Sequence, residues 1–471
     1  MSGGKTSSKL RVNMRLSVVE GLFAMPLVFF AMPGNFLMAS LATEAIGLRE
    51  SVYGVIASLP AWANVVQLFA LPWLTRRLSQ KTICLIFSWV HLACWMVVGV
   101  ALPKIAEGGP WHSPWLVVTL LATGALAFAL VNVSWTSWVQ EWLPSKGRGK
   151  YLGRRNRLLQ ISTVVFLVGA SAYLGRMAEN AVLGFQVIIF GSVALRALSI
   201  VLQLRILPTK RVVDERGARL FDQFAVILGN KPLVRFVIFG AAFGFCANVM
   251  GPFFPVFYYK ALGMSVDEVA QLAMLATTTG ALFMPLWGKI CDTQGCKLGL
   301  MLSLGLWMGI GYLHGFATPE RTWVLYVNWG IGGIAGSGFL FASFNMILKL
   351  IPPEAKTAAI SFNLAASSLS TAVAPIFGGF LFSWLEATLG DLVKALHVVS
   401  AVHHTVTLLT GLLLFGIVEP KATTLTQAIG AMRPMRQLGA LLGAAFLANY
   451  SFFRKPKGGD RKGDGSDSGD F

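Results

Sequence analysis

Long stretches without charged residues alternate with short polar segments along most of the chain. Eleven such stretches contain no charge, and a twelfth is broken only by Arg196. They cover residues 21–43, 51–75, 82–103, 108–140, 158–175, 180–204, 236–259, 269–288, 298–319, 322–348, 357–385 and 395–418. A bilayer core about 30 Å thick needs roughly 20 apolar residues as helix, so each stretch can cross it. Backbone groups in lipid must bond within their own segment, which predicts an all-α membrane protein with twelve transmembrane helices.

The composition agrees with this pattern. Of the 471 residues, 55% are hydrophobic and 13% are charged, whereas a soluble domain carries about 25% charged residues. The first stretch follows a basic, polar head and is too long for the apolar core of a signal peptide, so we interpret it as a retained first span.

Basic residues are distributed unevenly between the connecting segments. When the segments are assigned alternately to two sides, 32 of the 39 basic residues fall on the side of the N-terminus and 6 on the other, with Arg196 inside a span. Positive charge marks the cytoplasmic face, so we expect both termini inside a multi-pass protein of the cytoplasmic (inner) membrane. The net charge of +18 is then explained by topology and by attraction to anionic membrane lipid rather than by nucleic-acid binding.

The longest polar interruption divides the spans into six and six. We expect a six-helix bundle at 1–204, a cytoplasmic linker with an amphipathic helix at 205–232, a second bundle at 233–420 and a tail at 421–471. Within the tail we favour an interfacial helix over a thirteenth span, followed by a disordered end.

The turn between spans eight and nine reads GKICDTQGCK, residues 288–297. Its two cysteines supply only two metal ligands, and no further cysteine or histidine lies in this turn, so metal binding is not favoured. A reducing cytoplasm disfavours a disulfide. The stretch has a counterpart 216 residues earlier, where Lys81 matches Lys297. Repeats of this kind are typical of transporters built from two related bundles.

The same stretch resembles the loop signature of the major facilitator superfamily, Gly-x-x-x-Asp-x-x-Gly-x-Lys/Arg. Its four informative positions are filled by Gly288, Asp292, Gly295 and Lys297. The loops around Arg148 and Lys356, after spans four and ten, are also similar to this superfamily. Residues 135–156 most resemble a bacterial group without assigned substrates that is distantly similar to the glycoside–cation symporters. The resemblance implies two pseudo-symmetric six-helix bundles and no cofactor.

The resemblance further implies that Asp292 and Lys297 act as a cytoplasmic latch that holds the outward-open state. The first-half copy departs from the pattern, because Pro72 replaces its glycine and Arg76 its acid. The gate residues expected on that side are Arg77, Lys81 and Glu141, where Glu141 would supply the missing acid to Arg76 or Arg77.

Candidate substrate contacts are polar and aromatic residues within spans. Asn35 and Asn248 accompany Gly/Pro breaks at corresponding places in spans one and seven, where a polar cavity would satisfy their amides. Asn132 and Trp135 share one face of span four, and Tyr258 closes span seven. The alternative for all five is ordinary packing, with the amides bonded to neighbouring helices.

Charges inside spans are few and costly. Glu20 lies in span one and Arg196 in span six, both toward the cytoplasmic half, so we predict an ion pair or a proton site at Glu20. A purely structural pair explains the same pattern.

These observations favour a monomeric secondary active transporter that moves a small solute by alternating access, driven by a proton or cation gradient. The alternatives are an efflux antiporter of the same fold and a transport-dead membrane sensor. A polytopic membrane enzyme is less favoured because the outside loops are short and chemically bland.

Overall fold

A computed structural model describes residues 3–32, 35–107, 113–143, 148–207, 226–351 and 356–419. In this part of the chain twelve helices are long and apolar enough to cross a membrane, which confirms the predicted number of spans. Spans 1 to 6 are the helices Gly3–Phe30, Glu50–Arg77, Gln80–Ala106, Pro114–Trp142, Arg148–Arg176 and Ala181–Arg205. Spans 7 to 12 are the helices Lys231–Met250, Val266–Thr293, Cys296–Gly311, Trp323–Leu350, Lys356–Leu389 and Leu392–Leu409 with the extensions given below.

Shorter elements extend or connect these helices. Span 7 continues through a 3₁₀ turn, Gly251–Phe253, into the helix Phe254–Lys260. Spans 9 and 12 end in the 3₁₀ segments Tyr312–Phe316 and Thr410–Gly416. The remaining short elements are the helix Phe36–Ser40, the π-helical turn Leu41–Ala45 and the 3₁₀ turn Ala178–Asn180.

Polar residues between the apolar stretches determine where several helices begin. Asn230 precedes span 7 and accepts a hydrogen bond from the backbone N–H of Leu233 at 3.2 Å. Ser265 and Glu268 form a capping box at the start of span 8. Each side chain satisfies backbone donors that the first helical turn leaves without partners.

The buried apolar residues form three clusters whose membership separates the two ends of the molecule. One cluster takes residues from both halves, including Phe30 and Tyr53 of the first and Phe253 and Phe382 of the second. A second cluster, which includes Phe236, belongs to the second half alone. A third belongs to the first half alone, and its buried members are Trp138, Val139, Trp142, Leu143 and Ile206. The halves therefore share a core toward one end, which we call the joined end, whereas at the other end each half has its own core.

Glycines permit the close approach of spans 2 and 11, which join the two halves. A Cβ on Gly54 would lie 2.3 Å from the carbonyl oxygen of Pro375, and one on Gly379 would lie 2.7 Å from that of Glu50. Backbone atoms cannot move aside as a flexible side chain can. Both positions therefore require glycine for the observed packing.

The predicted domain boundaries remain predictions. Residues 208–225 and 420–471 lie outside the described residues, and the expected amphipathic linker helix and interfacial tail helix fall largely there.

Replacing Gly54 with Ala should lower the unfolding temperature, because the added methyl meets backbone and overpacking costs about 1–3 kcal/mol. Gly169→Ala in span 5 is the matched control, since nothing lies within 4 Å of its added Cβ. Thermal unfolding of both purified variants in detergent measures the difference. Equal unfolding temperatures would contradict the tight contact at Gly54.

Candidate transport site

Glu20 lies in span 1 and is 1% exposed, and its carboxylate is surrounded by donors from three other spans. Oε1 accepts hydrogen bonds from Trp135 Nε1 at 3.0 Å and from Arg155 Nη2 at 3.2 Å. Oε2 accepts from Gln203 Nε2 at 2.8 Å and from Ser199 Oγ at 3.3 Å. Spans 1, 4, 5 and 6 thus meet at one buried negative charge, which is stable only because it is paired and fully hydrogen-bonded.

Arg155 is the cation that pairs with Glu20. Its Nε donates to the backbone carbonyl of Ser17 at 3.0 Å, and its guanidinium lies 4.1 Å from the ring centre of Trp135. A Cβ on Gly21 would come within 2.6 Å of Arg155 Nη2, so the absence of a side chain at Gly21 makes room for the guanidinium. Trp135 holds both members of the pair, one through its indole N–H and the other through its ring.

The second buried cation, Arg196, reaches Glu20 indirectly. Its Nη1 donates to Ser199 Oγ at 3.2 Å and its Nη2 to Ser88 Oγ at 2.9 Å, while Ser199 donates to Glu20. The predicted ion pair of Glu20 with Arg196 is therefore wrong in one member, because Arg155 and not Arg196 contacts the carboxylate. The uncharged stretch begins only at residue 158, which leaves Arg155 outside the predicted span, whereas the structure includes it in span 5, Arg148–Arg176.

The predicted substrate residues divide into two groups by their contacts. Asn132 is exposed and Trp135 is half-buried against Glu20, on the same face of span 4. Asn35 instead caps the helix Phe36–Ser40, accepting from the N–H of Met38 at 2.8 Å and donating to the carbonyls of Phe29 and Met32 at 2.7 and 2.6 Å.

Asn248 and Tyr258 are likewise engaged within the second half. Asn248 Nδ2 donates to the carbonyl of Gly244 at 2.8 Å, one turn earlier in its own helix. Tyr258 is 1% exposed; its hydroxyl lies 2.6 Å from His314 Nε2 and accepts from Trp329 Nε1 at 3.1 Å. The amide of Asn248 thus bonds within its own helix rather than across to a neighbouring one, and the assignment of these residues to a substrate cavity stays a prediction.

An apolar pocket of about 350 Å³ opens between spans 7, 11 and 12. Its lining includes Phe245, Trp384 and His403 and contains few polar groups. Such a surface suits lipid tails better than a polar solute, and the residues that the sequence singles out lie elsewhere.

Three side-chain contacts among the described residues connect the halves at the joined end. Lys260 of span 7 forms an ion pair with Glu50 at the start of span 2. Tyr53 donates to the carbonyl of Pro252 at 3.2 Å, and Tyr259 donates to that of Phe36 at 3.0 Å. The sequence analysis missed these contacts. The one sequence feature that points to the pair is that Glu50 and Lys260 are charged residues at the ends of spans 2 and 7, both on the side assigned to the outside.

The motif turn lies at the opposite end of the second half. Gly295 has φ of +102° and is followed at once by span 9, which explains the second glycine of the motif. Lys297 Nζ donates to the carbonyls of Phe415 and Ile417 at 3.2 and 2.8 Å, and Asp292 is exposed. In this conformation Lys297 binds the end of its own half, so the latch role stays a prediction.

Glu419, which the sequence analysis did not single out, completes this end. Its carboxylate accepts from the backbone N–H groups of Cys296 and Lys297 at 2.9 and 2.7 Å and from Lys349 Nζ at 2.9 Å. Burial alone would raise the pKa of Glu419, but the Lys349 ammonium and the two N–H groups outweigh it and hold the pKa below its usual value.

The first-half gate residues have different surroundings. Lys81 Nζ donates to the carbonyls of Leu204 and Ile206 at 3.0 and 2.7 Å. Arg77 lies 5.3 Å from the ring centre of Trp73, and Glu141 is half-buried. Arg148 and Lys356 begin spans 5 and 11, and their side chains lie outside what the structure describes. The proposed pairing of Glu141 stays a prediction.

The family model described as Major Facilitator Superfamily matches residues 236–455. The crystal structure of the nucleoside transporter NupG superposes with a TM-score of 0.63 at 16% identity, covering 88% of this chain and 100% of that one. The D-xylose-proton symporter gives a TM-score of 0.64 at 15% identity and covers 88% and 99%. The resemblance to the major facilitator superfamily is confirmed.

A curated relative matches over a shorter distance. The multi-drug resistance efflux pump PmrA of Streptococcus pneumoniae is 30% identical over 143 residues, which is 29% of this chain and 35% of that protein. The chain therefore spans about a third of the length of this relative.

The major facilitator fold accounts for a correspondence between the two halves. Lys81 and Lys297, related by the 216-residue offset, each bind carbonyls at the end of the last helix of their own half. Those carbonyls have no intrahelical partners, so an ammonium there satisfies them. In the second half a buried carboxylate, Glu419, also binds the N–H group of Lys297.

Replacing Arg155 with Met should lower the free energy of unfolding by about 3–5 kcal/mol, because it leaves the Glu20 carboxylate buried without its cation. The double variant Arg155→Met/Glu20→Gln should unfold at a higher temperature than Arg155→Met alone, since glutamine keeps acceptor and donor groups without a charge. Differential scanning fluorimetry in detergent compares the two. A double variant no more stable than the single one would contradict the pairing.

Glu419→Gln should destabilise the protein at neutral pH by removing the charge that Lys349 and the helix N-terminus stabilise. Because the pKa of Glu419 is lower in the folded state, its contribution is complete above the ordinary glutamate pKa of about 4.3 and is lost as pH falls through the folded value. The difference in unfolding temperature between wild type and variant should therefore be constant at neutral pH and narrow only under acid. A difference that grows on acidification would have the wrong sign.

Proposed function

We propose that this multi-pass membrane protein is a secondary active transporter that moves a small polar solute by alternating access and is driven by a proton gradient. The twelve-span major facilitator fold supports this proposal. NupG is described as a nucleoside transporter and the xylose protein as a proton symporter, so solved structures of this fold include transporters of small polar solutes, one of them coupled to protons.

The Glu20 cluster carries the proposal. A carboxylate inside a membrane span is costly unless it is paired, and it loses its charge by taking up a proton. Protonation would weaken the pair with Arg155 and free a guanidinium that faces Trp135. Because the carboxylate joins spans 1, 4, 5 and 6, its protonation state affects how these four helices pack, which is what coupling a proton to a conformational change requires.

The clusters of buried apolar residues support an assignment of the conformation. The halves share their core at the joined end, where Glu50 pairs with Lys260, and have separate cores at the end that carries Lys81 and Lys297. The distribution of basic residues assigns the joined end to the outside. The structure then corresponds to an inward-facing state, with both termini in the cytoplasm and Asp292 released from a latch that would act in the outward-open state.

The solute is proposed to contact the face of span 4 that carries Asn132 and Trp135, next to Arg155. The exposed amide and the indole ring offer hydrogen bonding and stacking to a polar ring, which suits a sugar or nucleoside-like compound. Asn35, Asn248 and Tyr258 belong to this proposal only if their local hydrogen bonds exchange during transport.

The remaining parts of the proposal concern organisation. We place the protein in the inner membrane as a monomer in contact with lipid, with bundles at 1–204 and 233–420 joined by the linker 205–232. An efflux antiporter is the second candidate, and the similarity to PmrA is the observation that favours it.

The test begins by finding a solute that raises the unfolding temperature of the purified protein, screened among sugars, nucleosides, peptides and drugs. In proteoliposomes, the wild type should accumulate that solute when a pH gradient is imposed, and the direction of movement separates symport from antiport. Glu20→Gln should still exchange labelled solute without a gradient but lose accumulation, because its side chain no longer takes up a proton.

Glu179→Gln is the matched control, since Glu179 is an exposed carboxylate in a connecting turn, and it should accumulate solute as the wild type does. Full accumulation by Glu20→Gln would overturn the role of Glu20. A wild type that binds the solute but neither exchanges nor accumulates it would favour a sensor instead.

A further inference from the structure

The apolar pocket between spans 7, 11 and 12 has no part in the proposed transport site. Its volume of about 350 Å³ lies in the range of cavities that hold drug-sized molecules. Its lining residues all belong to the second half, whereas the Glu20 cluster is formed by spans of the first half. What the pocket binds is therefore a question separate from the transported solute.

The pocket has a buried wall and an exposed rim. Met250 and Val399 are buried and line its inner side. Phe377, Trp384 and Val402 also line it but are exposed at the surface. Exposed apolar side chains on transmembrane helices are covered by lipid tails, which are as apolar as leucine. We therefore expect a ligand to enter this pocket from the membrane.

The wall formed by spans 7 and 11 is held by close packing and carries aromatic rings. A Cβ on Gly378 would overlap the carbonyl oxygen of Val249, so the two backbones touch beside the pocket. The ring centres of Phe245 and Phe377, one from each span, lie 6.5 Å apart, and Trp384 adds an indole to the lining. Such rings favour a ligand that itself contains rings, through offset or edge-to-face contacts.

His403 brings an imidazole into this apolar lining. Its ring packs edge-on against Phe254 and His404, with centres 5.3 and 4.9 Å apart. Within the described residues it makes these ring contacts and no hydrogen bond, whereas His404 Nδ1 lies 2.6 Å from the carbonyl oxygen of Ser400. An imidazole carries at least one N–H donor, and a donor without a partner is unfavourable in apolar surroundings. A ligand with an acceptor atom would satisfy it.

The depth of His403 excludes a phospholipid as the source of that acceptor. His403 lies near the middle of span 12, the 25-residue segment Leu392–Gly416, which places it roughly 15–20 Å from either end at the rise of a helix. The polar groups of phospholipids lie outside a hydrocarbon core about 30 Å thick. At the level of His403 a phospholipid offers only its acyl chains, which accept no hydrogen bond.

We propose that this pocket binds an uncharged, lipophilic ring compound that enters from the membrane and accepts a hydrogen bond from His403 through a carbonyl or similar oxygen. The described lining contains no Asp, Glu, Lys or Arg, so a charged ligand would have no oppositely charged partner there. The aromatic residues contact the rings of the ligand, and His403 orients its oxygen. This site does not rest on the proposed transport function, because its test requires no solute movement and no gradient.

The experiment uses the purified full chain in detergent and benzophenone as the probe. Benzophenone is an uncharged two-ring ketone that forms covalent adducts with nearby C–H groups under near-ultraviolet light. Peptide mass spectrometry should find its adducts concentrated on the pocket-lining residues of spans 7, 11 and 12. Adducts spread evenly over the exposed apolar surfaces of all spans would overturn the proposal, and this result needs no variant.

Two competitors test the hydrogen bond. Phenyl benzoate keeps a carbonyl between two rings, and in bibenzyl two methylene groups replace the ester. The ratio of the concentrations at which they suppress labelling should shift about five-fold against phenyl benzoate in His403→Phe, which keeps a ring but lacks the N–H. Comparing the same ratio in wild type and variant cancels differences in lipophilicity between the competitors.

His397→Gln is the matched control for this comparison. His397 lies in the same span outside the pocket lining, where its Nε2 is 2.8 Å from the carbonyl oxygen of Ala317, and the variant should keep the wild-type ratio. If His403→Phe fails to fold, His403→Leu gives the same test. An unchanged ratio in the His403 variant would overturn the proposal, because the pocket would then accept hydrocarbon such as a lipid tail without regard to an oxygen.

Discussion

A single carboxylate in the membrane interior sets the arrangement of the first half. Moving the Glu20 carboxylate from water into the protein interior costs on the order of several kcal/mol. Only direct pairing with a cation and complete hydrogen bonding offset this cost. This requirement explains why Gly21 has no side chain, why Trp135 faces inward and why Ser199 and Gln203 interrupt an apolar span. The hydrogen bonds to the two carboxylate oxygens of Glu20 therefore fix spans 1, 4, 5 and 6 relative to one another.

At the ends assigned to the cytoplasm, the two halves satisfy the last carbonyls of their final helices in the same way. The last carbonyls of spans 6 and 12 have no helical partners, and in each half a lysine at the start of the third helix, Lys81 of span 3 or Lys297 of span 9, reaches them. Within the described residues the halves then differ, because in the second half Glu419 also accepts from the N–H groups at the start of span 9. At the joined end spans 2 and 11 instead approach so closely at Gly54 and Gly379 that neither position has room for a Cβ.

The spans and their number follow from the sequence because hydrophobic stretches of this length have one stable form in lipid. The candidate site follows less well, for identifiable reasons. Arg155 was hidden because it sits at the charged end of a helix, where a search for uncharged stretches stops too early. Glu50 and Lys260 are 210 residues apart, and no local pattern pairs them. Asn35 was predicted to contact substrate because of its depth in the membrane. The break in the helix beside it leaves backbone groups without helical partners, and the Asn35 amide bonds to these groups instead.

Glu419 has a practical consequence for handling the protein. It lies beyond the last helical residue of span 12, yet it contributes to the packing of spans 9 and 10 through Cys296, Lys297 and Lys349. A shortened chain that ends at Gly416 would keep the twelve spans of the described residues and still lose this contact. The earliest acceptable truncation point, and the earliest attachment point for an affinity tag or fluorescent fusion, therefore follows residue 419.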